Sequence, residues 1–144
     1  MHKILLTAFL LLAISQAQAG QIWNIMQWEI QPGKADAALK AFDELQNSDM
    51  AKNRTASVQF QTILFNGSSP ATHAVVVLYP NRAEQERWRK SMKGSTQMRK
   101  FQKSMNNIAK PVAQSSNSPL KGWGTLSNND TVWSAIRLRV SNPA

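Results

Sequence analysis

His73 is the side chain of this sequence best suited to proton transfer. The only other histidine is His2, which lies in a segment, residues 1–19, that is predicted to be removed from the mature protein. An imidazole titrates near pH 6.5 and can therefore act as a general base close to neutral pH. A Ser–His–Asp triad would need His73 as its base, but no nucleophile-elbow motif is present and the serines fall in predicted loops. His73 is thus a candidate general base, weighed against the more common strand-end histidine whose hydrogen bond is purely structural.

Other ligand types are too sparse to predict a metal site. Cysteine is absent, which excludes disulfides, thiolate chemistry and zinc–thiolate centres. A single histidine cannot form a multi-histidine site, and no carboxylate accompanies His73 in a metal-binding motif. The scattered glycines form no phosphate-binding loop, and no nucleic-acid-binding motif is present. We therefore predict no metal, no resident cofactor and no specific nucleic-acid partner.

Positive charge is concentrated in one part of the chain. The whole sequence has 17 basic and 8 acidic residues, a net charge of +9. Residues 82–110 alone hold nine basic residues against Glu84 and Glu86. Such a field favours anionic partners, either an anionic surface or a polyanion, although a solvated helix face that aids solubility is an equal alternative. The candidate anion-binding residues are Arg99, Lys100, Lys103 and Lys110.

The first nineteen residues have the three-part pattern of a cleavable signal peptide. Lys3 precedes an apolar run from Ile4 to Ile14, and the segment ends as Ala-Gln-Ala before Gly20. The run is too short to cross a membrane, which takes about 20 residues. We therefore expect a periplasmic or secreted protein whose mature part, residues 20–144, is a single domain. No later segment is apolar enough to span a membrane.

Hydrophobic periodicity and turn residues divide the mature chain into strands and helices. Asn81 is predicted to be the N-cap of the second helix, with the Glu84 side chain bonding to the Asn81 backbone N–H as in a capping box. Gly94 is predicted to break this helix. Residues 47–55 and 112–119 read as exposed loops. The predicted strands are 22–30, 57–65, 72–79, 120–126 and 131–140, and the predicted helices are 34–46 and 81–110.

This order predicts an α+β fold of the ferredoxin-like βαββαβ type. Such a fold has one antiparallel sheet with two helices on one face, and here an extra C-terminal hairpin strand follows. Trp23 and Trp28 are separated by an odd number of residues, so they point to opposite faces of the first strand. One of them therefore lies on the face that no helix covers. Because an uncovered apolar face is usually buried by a partner, we predict a homodimer.

The stretch WNIMQWEIQPGKADAALKAFDEL resembles the opening of dimeric α/β-barrel domains, in which a Trp-containing strand runs through Pro-Gly-Lys into the first helix. The stretch NGSSPATHAVVVLYPNRAEQERW is similar to their hairpin and second helix. This superfamily includes small antibiotic-biosynthesis-type monooxygenases and stress-response barrel proteins. The resemblance covers residues 22–110, with the C-terminal strands 120–140 beyond it. It implies a ligand cavity between the sheet and the helices.

The resemblance also implies candidate site residues. Haem-degrading members of the superfamily use an asparagine on the first strand, which Asn24 matches, and a histidine on the second helix, which this chain lacks. Haem degradation is therefore not expected. Cofactor-free oxidation would use Asn24 and His73 as catalytic residues in a ligand cavity lined by Trp28, Trp88 and Tyr79.

Two functions stay open at this point. The first is an exported ligand-binding or interaction domain for an anionic or small aromatic molecule. The second is a cofactor-independent monooxygenase or isomerase of the dimeric α/β-barrel type. The sequence does not decide whether the protein is an enzyme.

Overall fold

The computed structural model describes residues 20–119. These residues form four strands and four helices in the order β1, α1, α2, β2, β3, α3, α4, β4. The strands are β1 (Ile22–Ile30), β2 (Ser57–Thr62), β3 (His73–Tyr79) and β4 (Ala109–Asn117). The helices are α1 (Ala35–Gln46), α2 (Asp49–Lys52), α3 (Arg82–Met92) and α4 (Thr96–Asn106).

The four strands form one antiparallel sheet in the order β2-β3-β1-β4. The chain therefore crosses from β1 to β2 through α1, and from β3 to β4 through α3 and α4. Asn24 of β1 lies opposite Val77 of β3 on one side and Ser116 of β4 on the other. This arrangement confirms the predicted α+β, ferredoxin-like fold with an antiparallel sheet.

The hydrophobic core lies between the helices and one face of the sheet. Val75, at 1% exposure, and Met105 of α4, also at 1%, are its most deeply buried large side chains. Phe42 of α1 joins the layers, because its ring stacks on Phe60 of β2 at 4.8 Å and meets Phe101 of α4 edge-on at 4.7 Å. Such aromatic pairs each contribute about 0.5–1.5 kcal/mol beyond their area burial.

The second helical region is divided at Gly94, as the sequence predicted. Gly94 has a positive φ of 78°, which a glycine adopts without a Cβ clash. The Asn81 side chain accepts the backbone N–H of Glu84 at the start of α3, and Ser95 accepts that of Met98 at the start of α4. The Glu84 carboxylate contacts Thr55 and Arg87.

The C-terminal limit of the helical region was predicted wrongly. The helix was expected to run to Lys110 and residues 112–119 to form a loop, but α4 ends at Asn106 and β4 occupies Ala109–Asn117. β4 is an edge strand, where Pro111 is tolerated and where polar residues replace the usual β-branched ones. Its register against β1 shifts between Gln27 and Trp28. Pairing with β1 thus overrides a composition that favours a loop.

Smaller differences concern element ends. The expected loop 47–55 contains the short helix α2, and β2 ends at Thr62 rather than Phe65. The predicted signal peptide, the strands 120–126 and 131–140 and the extra C-terminal hairpin lie outside the described residues. Within residues 20–119, no helix is both long and apolar enough to cross a membrane.

Candidate functional site

A cleft opens where the end of β3 meets α3 and the segment that leads from α2 into β2. We call it the Arg54 cleft, and its volume is about 140 Å³. Its lining residues are Met50, Asn53, Arg54, Thr55, Ala56, Tyr79, Glu84, Arg87, Trp88 and Ser91. The cleft thus combines an aromatic ring, a phenol and three charged side chains.

Arg54 is a half-buried cation that has no carboxylate partner among the described residues. Its Nε donates to the Ala56 carbonyl at 3.1 Å, and its Nη1 donates to the side chain of Gln46. Its guanidinium carbon lies 6.0 Å from the centroid of the Trp88 ring. Burial lowers the pKa of Arg54 from its ordinary value, although the guanidinium remains charged near neutral pH.

Tyr79 forms the buried floor of the cleft. It is 2% exposed, and burial raises the pKa of its phenol to about 12. A hydrogen bond with Asn24 and the positive charge of Arg54 both lower the pKa of Tyr79, but the loss of solvent around the phenol raises it by more. The phenol is therefore neutral at physiological pH.

A buried amide network lies behind this floor. Gln85 of α3 is 9% exposed, and its Nε2 donates to Asn24 Oδ1 at 2.9 Å and to Ser116 Oγ at 3.1 Å. These two bonds tie α3 to the neighbouring strands β1 and β4. Gln85 is the buried member of this network, whereas Asn24 is half-buried and Ser116 is exposed, so the two bonds satisfy the buried amide nitrogen of Gln85. Asn24 therefore accepts from Gln85 behind the cleft and also bonds to the Tyr79 phenol of its floor.

The remaining charges of the cleft neutralise each other. Arg87 Nη1 lies 2.8 Å from a carboxylate oxygen of Glu84, and the other carboxylate oxygen accepts from Thr55 Oγ1 at 2.6 Å. With Arg54, Arg87 and Glu84 all charged, the lining carries a net charge of +1. The surplus charge is that of Arg54.

His73 and Trp28 lie at the opposite end of the sheet from Tyr79. They face each other across β1 and β3, whereas Asn24 is four residues before Trp28 and thus about 14 Å away along the strand. His73 Nδ1 is 2.9 Å from Thr72 Oγ1, and the imidazole stacks on Phe60 at 5.2 Å. Burial lowers the pKa of His73. The structure therefore brings Trp88, Tyr79 and Asn24 together and leaves His73 and Trp28 apart from them.

Three of the four predicted anion-binding residues lie on α4, and the fourth, Lys110, lies on β4. Lys100 pairs with Glu44 of α1 at 2.9 Å, and Arg99 donates to the Gly94 carbonyl at 2.7 Å. Lys110 lies on β4 opposite Glu29, because the helix that was expected to carry it ends at Asn106. Lys103 is exposed in the last turn of α4, and neither it nor Arg99 forms an ion pair among the described residues. A second groove of about 200 Å³ between α1 and α4 is crossed by the Lys100–Glu44 pair.

Sequence reasoning missed Arg54 and Gln85. Gln85, Trp88 and Met92 follow one another at spacings of three and then four residues, so they lie on the same face of α3. This spacing predicts that Gln85 faces the sheet, as Trp88 does. Arg54 stands in a polar stretch with no periodicity, and no local pattern singles it out. Among residues 20–119, no three His, Asp or Glu side chains are grouped so that they could hold a metal ion.

Comparisons with known proteins define the class at the level of the fold. The structure is similar to a NIPSNAP-like domain protein from Burkholderia xenovorans, with a TM-score of 0.55 and 10% identity over 76% of this chain and 93% of that one. It is also similar, with TM-scores of 0.45, to a proposed antibiotic biosynthesis monooxygenase from Chloroflexus aurantiacus and to a dimeric ferredoxin-like protein from Bacteroides fragilis. The Chloroflexus protein is 12% identical over 72% of this chain and 97% of its own. The Bacteroides protein is 10% identical over 69% of this chain and 96% of its own.

At 10% identity, the likeness to the NIPSNAP-like domain protein concerns the fold alone, and it agrees with the α+β, antiparallel arrangement of the sheet described above. No protein-family model matches the chain, and no curated protein matches it in sequence.

Proposed function

We propose that this protein is a ligand-binding domain whose Arg54 cleft holds a small anionic molecule with one aromatic ring. The observation that carries the proposal is the half-buried Arg54, which has lost solvent without gaining a carboxylate among the described residues. A ligand carboxylate would supply that missing charge. Arginine is well suited to the task, because its planar guanidinium can donate two parallel hydrogen bonds to one carboxylate.

The size and lining of the cleft support a single-ring ligand. Its volume of about 140 Å³ is below the roughly 300 Å³ at which drug-sized pockets begin. It is close to that of an engineered cavity of about 150 Å³ that accepts benzene. Trp88, Met50 and Ala56 offer apolar contacts to a ring, while Arg54 is placed to meet a polar substituent.

The same geometry favours binding over turnover. The oxygenase alternative needs Asn24 and His73 in one cavity, but they lie about 14 Å apart along the sheet. Tyr79 is a poor base near neutral pH, because its pKa is raised to about 12. Asn24 is engaged with Gln85.

Calorimetric titration of the mature protein with benzoate tests the proposal. We expect saturable binding by the wild type and an affinity about tenfold or more lower for Arg54→Gln, since a charged hydrogen bond is lost. Arg99→Gln is the matched control, because Arg99 lies on α4 outside the cleft, and it should bind benzoate like the wild type. Equal affinity of Arg54→Gln and wild type would refute the proposed site.

We further propose that residues 1–19 direct export and that the mature protein acts in the periplasm or the surrounding medium. The apolar run and the Ala-Gln-Ala sequence before Gly20 support this. The intact mass of protein recovered from the periplasmic fraction of a bacterial host should correspond to a chain that starts at Gly20. A mass that includes residues 1–19 would contradict export with cleavage.

We also propose that the mature protein is a homodimer packed through the sheet face opposite the helices. By strand alternation and register, that face carries Ile25, Val76 and Leu78, which are only half-buried. A second copy would cover them. Light scattering should give the mass of two chains for the wild type and of one chain for Val76→Arg, with a single-chain wild type contradicting the proposal.

A further inference from the structure

The hairpin loop between β2 and β3 presents two large apolar side chains to solvent. Leu64 is 81% exposed and its neighbour Phe65 is 91% exposed. Among the described residues the other large apolar side chain of high exposure is Leu39, at 45%. Single exposed apolar residues are ordinary on protein surfaces, but an adjacent pair at these exposures is a candidate contact surface. We call Leu64 and Phe65 the apolar tip.

The loop holds the tip outward through its own hydrogen bonds. The Ile63 N–H donates to the Thr72 carbonyl at 2.8 Å, which closes the base of the loop. Asn66 Nδ2 donates to the Ala71 carbonyl at 2.9 Å, and Gly67 turns the chain with a φ of 56°. The tip is therefore displayed by a structured loop.

Exposed lysines lie at the same end of the sheet as the tip. Lys34 follows the end of β1, Lys103 is in the last turn of α4, and Lys110 is the second residue of β4. The acidic residues at this end are Glu29, which lies opposite Lys110, and Asp36 in the first turn of α1. The tip is thus accompanied by a net positive charge, on a chain whose overall charge is +9.

We propose that the apolar tip inserts into the interface of an anionic phospholipid membrane. Leu64 and Phe65 would enter the boundary between headgroups and acyl chains, and the lysines would contact anionic headgroups. Positive charge beside exposed apolar residues is the combination that binds such interfaces. The apolar tip lies before the first residue of β3, whereas Tyr79 of the Arg54 cleft is the last residue of β3. The two ends of this strand are about 20 Å apart. A bound protein would therefore keep the cleft open to solvent, and the proposal does not depend on the cleft's ligand.

Cosedimentation of the mature protein with vesicles tests this proposal. Vesicles of phosphatidylcholine with phosphatidylglycerol at three to one, in low salt, should retain the wild type. Leu64→Ser/Phe65→Ser should bind about tenfold or more weakly, because the inserted apolar area is lost. Phe65→Trp, which keeps an apolar ring, should bind as the wild type does. Lys34→Gln/Lys103→Gln should bind about 25-fold more weakly, since each of the two lysines near an anionic surface contributes about fivefold in affinity.

Leu39→Ser is the matched control, because it removes an exposed leucine from the outer surface of α1 and should leave retention unchanged. Circular dichroism of each variant shows whether the fold is kept. Retention of the tip variant equal to the wild type would overturn the proposal, and so would failure of the wild type to bind anionic vesicles at low salt. Capture of the wild type equally by pure phosphatidylcholine would overturn the part assigned to the lysines.

Discussion

Arg54 lies over the indole of Trp88, with 6.0 Å between its guanidinium carbon and the ring centroid. A cation near an aromatic face at this distance is held by the ring quadrupole. The contact fixes one wall of the Arg54 cleft and leaves a charge there that no carboxylate among residues 20–119 neutralises. A ligand in the cleft could therefore contact the charge of Arg54 and the ring of Trp88 at the same time.

Trp88→Leu should weaken benzoate binding while leaving the carboxylate contact of Arg54 intact. We expect a loss of severalfold rather than the tenfold or greater loss of Arg54→Gln, since an aromatic contact contributes about 0.5–1.5 kcal/mol beyond area burial. Calorimetry with benzoate and with acetate checks this. The Trp88 variant should lose affinity for benzoate more than for acetate, and an equal loss for both would argue against ring stacking.

Gln85→Ala should destabilise the protein, because Asn24 Oδ1 and Ser116 Oγ lose their shared donor. Asn24 is half-buried and Ser116 is exposed to water, so we expect a cost at the lower end of the roughly 1–3 kcal/mol that an unpaired buried polar group costs. Urea unfolding measures the change in the free energy of unfolding. Gln102→Ala, an exposed glutamine on α4, serves as the control and should shift the free energy by less than about 0.5 kcal/mol. Equal stability of the two variants would mean that the amide network contributes little.

The stability of the protein should fall as pH falls through the range in which His73 titrates. Burial lowers the pKa of His73 in the folded state below its ordinary value of about 6.5, so the unfolded chain binds the proton more tightly. The stabilisation is therefore fully present above pH 6.5 and is lost progressively toward the lower pKa of the folded state. Urea midpoints at pH 7.5 and 5.5 test this.

His73→Phe is the control for that measurement. It keeps a ring that can stack on Phe60 but removes the titrating group. The difference between the two urea midpoints should be smaller in this variant than in the wild type. An unchanged difference would assign the pH dependence to other groups.

Gly94→Ala should destabilise the junction of α3 and α4. The positive φ of 78° at this position costs a residue with a Cβ about 1–2 kcal/mol, although no neighbouring atom would block the added methyl group. The thermal midpoint should fall by several degrees. Lys93→Ala, at the adjacent position with a negative φ of −64°, should change it far less. A neutral Gly94→Ala would show that the two helices tolerate another junction.

The sequence predicted most of the fold because its signals are local. The apolar face of α1, the Asn81 cap and the interruption at Gly94 each follow from a few neighbouring residues. β4 was missed because its residues are polar and contain Pro111, and only pairing with β1 makes them a strand. That pairing joins residues from 79 positions apart (Ile30 with Ala109) to 94 positions apart (Trp23 with Asn117), which no local pattern reveals.

The candidate site was predicted in part, for a related reason. Tyr79 and Trp88 line the Arg54 cleft, and Asn24 lies behind it, bonded to Gln85. His73 was expected with them, but the register pairs it with Trp28 at the other end of β1. Arg54 acquires its significance only through burial beside Trp88, which is a tertiary property.

The most direct test of the Arg54 cleft is a titration of the ¹⁵N-labelled mature protein with benzoate, followed by NMR. We expect saturable shifts of the Trp88 indole N–H and the Arg54 Nε–H signals, while the signal of the Trp28 indole N–H at the other end of the sheet does not shift. Shifts centred on Trp28 and His73, or no saturable shift at Trp88 and Arg54, would contradict this expectation.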